Sequence, residues 1–156
     1  MPQDPFGNLS DWESVLDYLD SLQANGRLSK CQPELVRILR YKGNWRLREG
    51  VLKRVGEIEH PSSQLVHQVL TILDDDNAYY DVRILAGETL IRLLKNTRGS
   101  FSGETKLCVR KVAERLTMIP QPVFFHNALK DLDLALRRES PTVNEIGDHL
   151  LLQKGV

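Results

Sequence analysis

Residues 82–93 read VRILAGETLIRL, and this stretch decides the fold. A Val-Arg pair opens it, an Ala follows three residues after the Arg, and a Leu follows four residues after that Ala. A weaker copy, LREGVLKRVGEI, occupies residues 47–58, which is 35 residues earlier. Sequence periods of roughly 20–50 residues are typical of stacked repeats. The two copies therefore predict helical hairpins that pack side by side.

The pattern resembles the second helix of a HEAT repeat. Arg48 in the weaker copy parallels Arg83 in the stronger one. In HEAT repeats an Asp commonly precedes the Val-Arg pair. Asp81 fits this pattern, whereas Arg46 stands in its place in the weaker copy. The resemblance is good over about 33–95, which is the length of two hairpins.

The resemblance implies an all-α fold, a right-handed α-solenoid of about four stacked antiparallel hairpins and about eight helices. We expect one domain, 1–156. Residues 1–30 would contain an N-terminal capping helix, and 33–95 the two best-matching repeats. Residues 104–156 would form less regular helices, in which a partial third copy begins at Val109.

Capping residues and helix breakers predict where the helices begin and end. Ser10 and Glu13 have the spacing of a capping box, and Asn25-Gly26 is a typical helix stop. Pro33 suits the first turn of the second helix, and Asn44 can cap the third. The predicted helices run from Ser10 to Asn25, from Pro33 to Gly43, over about 45–59, from Pro61 to Leu73, and over about 79–95, 104–119, 122–138 and 143–152.

The composition, with 41% apolar and 27% charged residues, is typical of a soluble globular protein. No apolar run approaches the roughly 20 residues that span a bilayer, so we expect no membrane partner. The N-terminus lacks the basic start and apolar stretch of a signal peptide. Cys31 and Cys108 are far apart in sequence, which favours two free thiols in a reducing compartment. These features predict a cytoplasmic protein.

The charges are segregated along the chain, although the net charge is zero. Residues 1–25 and 55–82 contain acids but no Lys or Arg. Residues 26–54 contain nine bases against two acids, and residues 83–115 contain eight against three. Such segregation can reflect partner recognition. It can equally mean that neighbouring layers of opposite sign attract each other.

Arg48 and Arg83 occupy the position of the Arg that is typical of the second helix of a HEAT repeat. The HEAT resemblance implies that they bond to backbone and acids between layers. It also implies that the second helix of each hairpin lines a concave groove. The groove candidates are Arg37, Arg40, Arg46, Lys53, Arg54, Arg92 and Lys95. They predict a non-enzymatic scaffold that binds an acidic segment of another protein.

Two other function classes stay open. The bases of 26–54 and 83–115 could bind nucleic acid through its phosphates. The chain could also be an enzyme or enzyme subunit, such as the HEAT-like lyases that attach bilins to proteins. No catalytic residue or cofactor can be assigned, and the four histidines form no pair at metal-ligand spacing, so we expect no metal. The oligomeric state is left open.

Two aromatic pairs, Tyr79-Tyr80 and Phe124-Phe125, begin predicted helices. We expect one member of each pair to be buried in the core. The other member would lie at the surface, where contact with a partner is possible.

Overall fold

The structure, a computed structural model, describes residues 6–97 and 102–139. Over these ranges it contains seven α-helices, one short 3-10 helix and no β-strand, which confirms the all-α prediction there. The helices are α1 (Trp12–Ala24), the 3-10 helix (Leu28–Cys31), α2 (Gln32–Arg40), α3 (Trp45–Val55), α4 (Ser63–Leu73), α5 (Tyr80–Thr97), α6 (Gly103–Thr117) and α7 (Val123–Glu139). The predicted eighth helix, 143–152, lies outside the described residues.

The helices pack in two rows. One row runs α2, α4, α6, and the other runs α1, α3, α5, α7, with each helix contacting the next in its row. Across the rows, α2 contacts α3, α4 contacts α5, and α6 contacts α7. Helices α2 to α7 therefore each bury apolar side chains against both a hairpin partner and a neighbouring hairpin, while α1 packs against α3. One continuous core results, which extends from Phe6 to Leu136.

Chain reversal after α1 depends on Gly26. Its φ of +67° lies in the left-handed region, which glycine adopts without a Cβ clash. The Arg27 N–H donates to the Leu22 carbonyl at 2.8 Å, and the Gly26 N–H donates to the Gln23 carbonyl at 3.1 Å. These two bonds form a Schellman motif. The predicted stop at Asn25-Gly26 is confirmed.

Side-chain caps begin two of the central helices. The Asn44 Oδ1 accepts from the Arg46 N–H at 2.9 Å, which confirms the predicted cap of α3. The Ser62 Oγ accepts from the Leu65 N–H at 3.1 Å. Ser62 rather than Pro61 therefore begins α4, because a cap oxygen satisfies an N–H that has no partner within the helix.

The capping box predicted at Ser10 and Glu13 is wrong. The Ser10 N–H and Oγ both donate to the Asn8 Oδ1, at 3.0 and 2.9 Å, so the Ser10 side chain is engaged before the helix. The N-cap is Asp11, and its side chain makes no capping hydrogen bond. An Asn side chain that binds the backbone two residues later forms a competing local turn.

Two helices end earlier than predicted. Helix α2 ends at Arg40 rather than at Gly43, and α3 ends at Val55 rather than continuing to Glu59. After α3 the Ile58 N–H donates to the Val55 carbonyl at 3.0 Å, and the Ile58 side chain is buried. Burial of Ile58 in a turn ends the helix, since the chain must reverse to begin α4. None of the described helices is both long and apolar enough to cross a membrane.

Candidate functional site

The two repeat arginines make the same contact in successive hairpins. The Arg48 Nε donates to the Leu39 carbonyl at 2.8 Å, and the Arg83 Nε donates to the Leu73 carbonyl at 2.9 Å. Both carbonyls lie in the last turn of the preceding helix, where the backbone lacks helical partners and the helix dipole favours a cation. Burial lowers the pKa of Arg48, while the Asp75 carboxylate acts in the opposite direction. These arginines join the two helices of each hairpin.

Arg83 also connects α5 to α7. Its guanidinium lies 4.4 Å from the centre of the Phe125 ring and 5.3 Å from that of Tyr80. Its Nη2 is 3.6 Å from the Asp76 Oδ1 and makes no hydrogen bond, although it is buried. Contact with aromatic faces compensates part of the cost of burying this cation.

Three polar side chains of α5 bind the end of α3. The Thr89 Oγ1 lies 2.8 Å from both the Leu52 carbonyl of α3 and the Leu85 carbonyl of its own helix, so its single proton is shared between these two acceptors. The Arg92 Nη2 donates to the Leu52 carbonyl at 2.9 Å, and its Nη1 donates to the Lys53 carbonyl at 3.0 Å. The Asn96 Nδ2 donates to the Gly56 carbonyl, which directly follows the end of α3. Arg92, predicted as a groove residue, thus directs its guanidinium at a neighbouring helix end.

Two groove candidates on α3 have acidic partners within the chain. The Arg54 Nε donates to the Asp20 Oδ1 at 3.0 Å, and the Lys53 Nζ lies 3.1 Å from the Glu49 Oε1. Exposed ion pairs of this kind contribute little to stability. However, both ion pairs reduce the positive electrostatic potential that Arg54 and Lys53 present to a ligand.

Arg46 is held by aromatic rings. Its guanidinium carbon lies 5.1 Å from the Trp12 ring centre and 5.8 Å from that of Trp45. Lys95 is exposed near the end of α5, beside a cavity of about 550 Å³ that it lines with Glu57 and His60. Arg46 and Lys95 therefore remain open to solvent in the row that contains α3 and α5.

Arg37 and Arg40 lie in the other row, on α2. The Arg37 Nη2 donates to the Gly7 carbonyl at 3.0 Å, and the Arg40 Nε donates to the Gln68 Oε1 at 3.0 Å. The structure therefore places the seven groove candidates on three helices in two rows rather than on a single helix row.

An exposed apolar cluster lies where α6 turns into α7 and α5 begins. We call it the apolar end surface, and it consists of Tyr79, Met118, Ile119, Val123 and Phe124. The side chains of Met118, Val123 and Tyr79 are 85%, 76% and 74% exposed, and that of Phe124 is 55% exposed. Phe125 is fully buried, and Tyr80 is half-buried. The expectation that one member of each aromatic pair is buried in the core is confirmed for Phe124-Phe125, whereas Tyr80 is only partly buried against the core.

Tyr80 and Gln121 hold the apolar end surface in place. The Tyr80 ring meets the Phe124 ring edge-on, with 5.7 Å between centroids. The Tyr80 hydroxyl donates to the Gln121 Oε1 at 3.3 Å, and the Gln121 Nε2 donates to the Leu116 carbonyl at 3.2 Å. Pro120 on one side of Gln121 further restricts the backbone. The exposed side chains thus project from an anchored turn.

Sequence reasoning singled out only the aromatic members of this surface. Met118, Ile119 and Val123 are apolar residues at or next to helix ends, and helical spacing alone does not separate them from core residues such as Leu116. The two prolines at 120 and 122 are the available signal, because they force the turn that exposes their neighbours.

Two other kinds of chemical group could contribute to function: potential metal ligands and cysteine thiols. Within 6–97 and 102–139, no group of three His, Cys, Asp or Glu side chains is arranged to hold a metal ion. Cys31 and Cys108 are half-buried, and neither forms a disulfide within the described residues. His149, considered in the search for metal ligands, lies outside the described residues.

Comparison with known proteins identifies no relative. No protein-family model, no curated protein and no solved structure matches this chain.

Proposed function

We propose that this chain is a short α-solenoid of the HEAT type. Three features support the proposal. The helices alternate between two rows, consecutive hairpins lie side by side, and the arginine of each copy of the 35-residue pattern binds the preceding helix end. Stacked repeats of this kind bury a continuous core between neighbours.

The function that best fits this architecture is non-enzymatic protein binding through the apolar end surface. The single observation behind it is the exposure of five large apolar side chains on one anchored turn and the adjoining start of α5. Together they expose an apolar area on the order of several hundred Å². This area is larger than that of a single exposed apolar residue, and apolar patches of this size are typical of interaction sites. Aromatic residues and Met are enriched in the buried centres of protein interfaces.

The charged groove is a second proposal, and the exposure of Arg46, Lys53 and Lys95 on α3 and α5 supports it. An acidic segment of another protein, or a phosphate backbone, would bind these cations. The groove has fewer open charges than its sequence suggests, because Arg92 and Arg54 bind groups within the chain. We therefore favour the apolar end surface over the charged groove as the main binding site.

Affinity capture with matched variants tests the proposal. The test variant is Met118→Ser with Val123→Ser, two exposed positions where truncation leaves the core intact. The control is Leu134→Ser, which removes an apolar side chain that is 50% exposed on α7, about 16 Å along the helix from Val123. Captured proteins are identified by mass spectrometry after nuclease treatment, and each is then purified and titrated directly.

We expect one purified partner to bind the wild type and the control and to lose at least tenfold in affinity for the test variant. A partner that binds both variants equally contradicts the use of this surface. If binding is instead lost after neutralisation of Arg46 and Lys95, the charged groove is the site. Loss of all partners on nuclease treatment would point to nucleic acid.

A further inference from the structure

A polar cleft lies between the turn that joins α2 to α3 and the turn that joins α4 to α5. Its volume is about 450 Å³, within the range of roughly 300–1,000 Å³ that small-molecule sites occupy. Three cations line it: Arg40 at the end of α2, Lys42 in the α2–α3 turn, and Arg48 on α3. We call it the basic cleft.

Arg48 is the buried cation of the basic cleft. The residue is 8% exposed, and its Nε donates to the Leu39 carbonyl. Within the described part of the chain, neither of its Nη groups forms a hydrogen bond, and no carboxylate forms an ion pair with it. Removal of a cation from water is costly unless a partner compensates it. The Nη donors are therefore available to an anion in the cleft.

The equivalent cation of the next hairpin is compensated differently. The Arg83 guanidinium lies over the Phe125 and Tyr80 rings and 3.6 Å from the Asp76 Oδ1. Arg48 makes no such ring contact among residues 6–97 and 102–139. Two arginines with the same backbone contact thus differ in their surroundings, since Arg83 is covered by protein and Arg48 lines an open cleft.

The other two cations also keep donors for a ligand. The Arg40 Nε donates to the Gln68 Oε1 at 3.0 Å, which leaves the Arg40 Nη groups and the Gln68 amide N–H groups available. Lys42 is exposed, and its ammonium has no hydrogen-bond or ion-pair partner among the residues that the structure describes. The cleft therefore combines positive charge with an excess of donors, which is the chemistry that binds an oxyanion.

Two carboxylates, those of Asp74 and Asp75, oppose this charge from the other turn. Asp74 is paired with Arg115, so that with Arg115 included the cations exceed the carboxylates by two. The negative dipole ends of α2 and α4 also point to this side of the molecule, whereas the start of α3 has the opposite sign. Arg48 already binds the Leu39 carbonyl in the last turn of α2. A net positive cleft remains.

We propose that the basic cleft binds a phosphate group, whose oxygens accept from Arg40, Lys42 and Arg48. A phosphate ester carries nearly two negative charges at pH 7, which matches the excess of two cations. Guanidinium groups bind phosphate oxygens through paired N–H donors, and Lys adds a point charge. The volume of about 450 Å³ equals that of roughly 15 water molecules, so the organic part of a phosphate ester also has room. This inference is independent of protein binding at the apolar end surface.

Calorimetric titration of the purified chain tests the proposal. The probes are inorganic phosphate and glycerol 3-phosphate, with chloride at matched ionic strength as the reference. The site variant carries Arg40→Gln and Lys42→Gln, two exposed positions. The matched control carries Arg27→Gln and Lys30→Gln, which removes the same charge from exposed residues that precede α2. The two pairs are separated by the length of α2, about 14 Å.

We expect the wild type and the control to bind within about twofold of each other and the site variant to bind about tenfold more weakly, because two charged hydrogen-bond donors are lost. Tighter binding of glycerol 3-phosphate would identify a phosphate ester as the ligand, and equal binding of the two probes would identify the phosphate group itself. Both probes should raise the urea midpoint of the wild type but not that of the site variant, since a ligand stabilises only the state that binds it.

Arg48→Lys examines the buried cation separately. It keeps the charge but loses the planar pair of donors, so it should weaken phosphate binding while circular dichroism shows that the variant is folded. Absence of binding by the wild type at about 50 mM phosphate or ester would overturn the proposal, because three charged contacts should give at least millimolar affinity. Equal weakening in the site variant and the control would also overturn it, since the effect would then depend on net charge alone.

Discussion

Replacing Arg83 with Ala should destabilise the protein more than replacing Arg48 with Ala. Both arginines donate to the last-turn carbonyl of the preceding helix, and both are buried. Loss of a charged hydrogen bond and of the buried aliphatic stem should cost about 2 kcal/mol at either position, after allowance for the desolvation that each guanidinium no longer pays. Arg83 alone also lies over Phe125 and Tyr80. These ring contacts add about 1 kcal/mol, so we expect about 3 kcal/mol for Arg83→Ala.

Urea unfolding followed by the helical circular-dichroism signal measures the difference. With a slope of about 2 kcal/mol per molar, the midpoint should fall by about 1.5 M for Arg83→Ala and about 1 M for Arg48→Ala. Arg83→Lys keeps the charge but not the planar donor group, so it should fall between the wild type and Arg83→Ala. Equal losses for the two alanine variants, or a larger loss at Arg48, would refute the assignment of extra stability to the ring contacts.

Three further predictions concern stability and use the same unfolding assay. Thr89→Val should cost about 1 kcal/mol, because the hydroxyl shared by the Leu52 and Leu85 carbonyls is lost while the volume is kept; no change in the midpoint would mean that the other donors to these carbonyls, such as Arg92 at Leu52, suffice. Ser62→Ala should cost about 1 kcal/mol through loss of a helix cap, whereas Ser10→Ala should cost less than about 0.5 kcal/mol because its hydroxyl does not cap α1. A larger loss at Ser10 would restore the capping box. The double serine variant of the apolar end surface should unfold within about 0.5 kcal/mol of the wild type, as expected for exposed positions; a larger loss would mean that these side chains support the core.

Local sequence signals predicted the helices well where a single residue type controls the backbone. Gly26 permits a left-handed turn, and Asn44 supplies a cap oxygen, so both boundaries were found. The prediction failed at Ser10 because its N–H and hydroxyl both donate to the Asn8 Oδ1, which holds Ser10 in a turn before the N-cap Asp11. It also failed at the end of α3, where burial of Ile58 against the rest of the molecule decides where the chain turns.

The candidate site was less accessible to sequence reasoning. Basic residues at helical spacing predict a charged face, but the pattern does not indicate that Arg92 binds carbonyls of α3 or that Arg54 pairs with Asp20, 34 residues away. Likewise, Met118 and Leu116 are both apolar, yet one is 85% exposed and the other is buried. The difference depends on the helices that pack beside them.

The sequence by itself determined the all-helical class and the 35-residue spacing of the Arg48 and Arg83 patterns, because helical periodicity and backbone capping are properties of neighbouring residues. Only the tertiary structure decided which cations remain open and which apolar side chains face solvent. Those outcomes depend on contacts between residues far apart in the chain, such as Arg83 with Phe125 and Tyr80 with Gln121. Packing between hairpins therefore creates the surface through which we propose that this protein binds its partner.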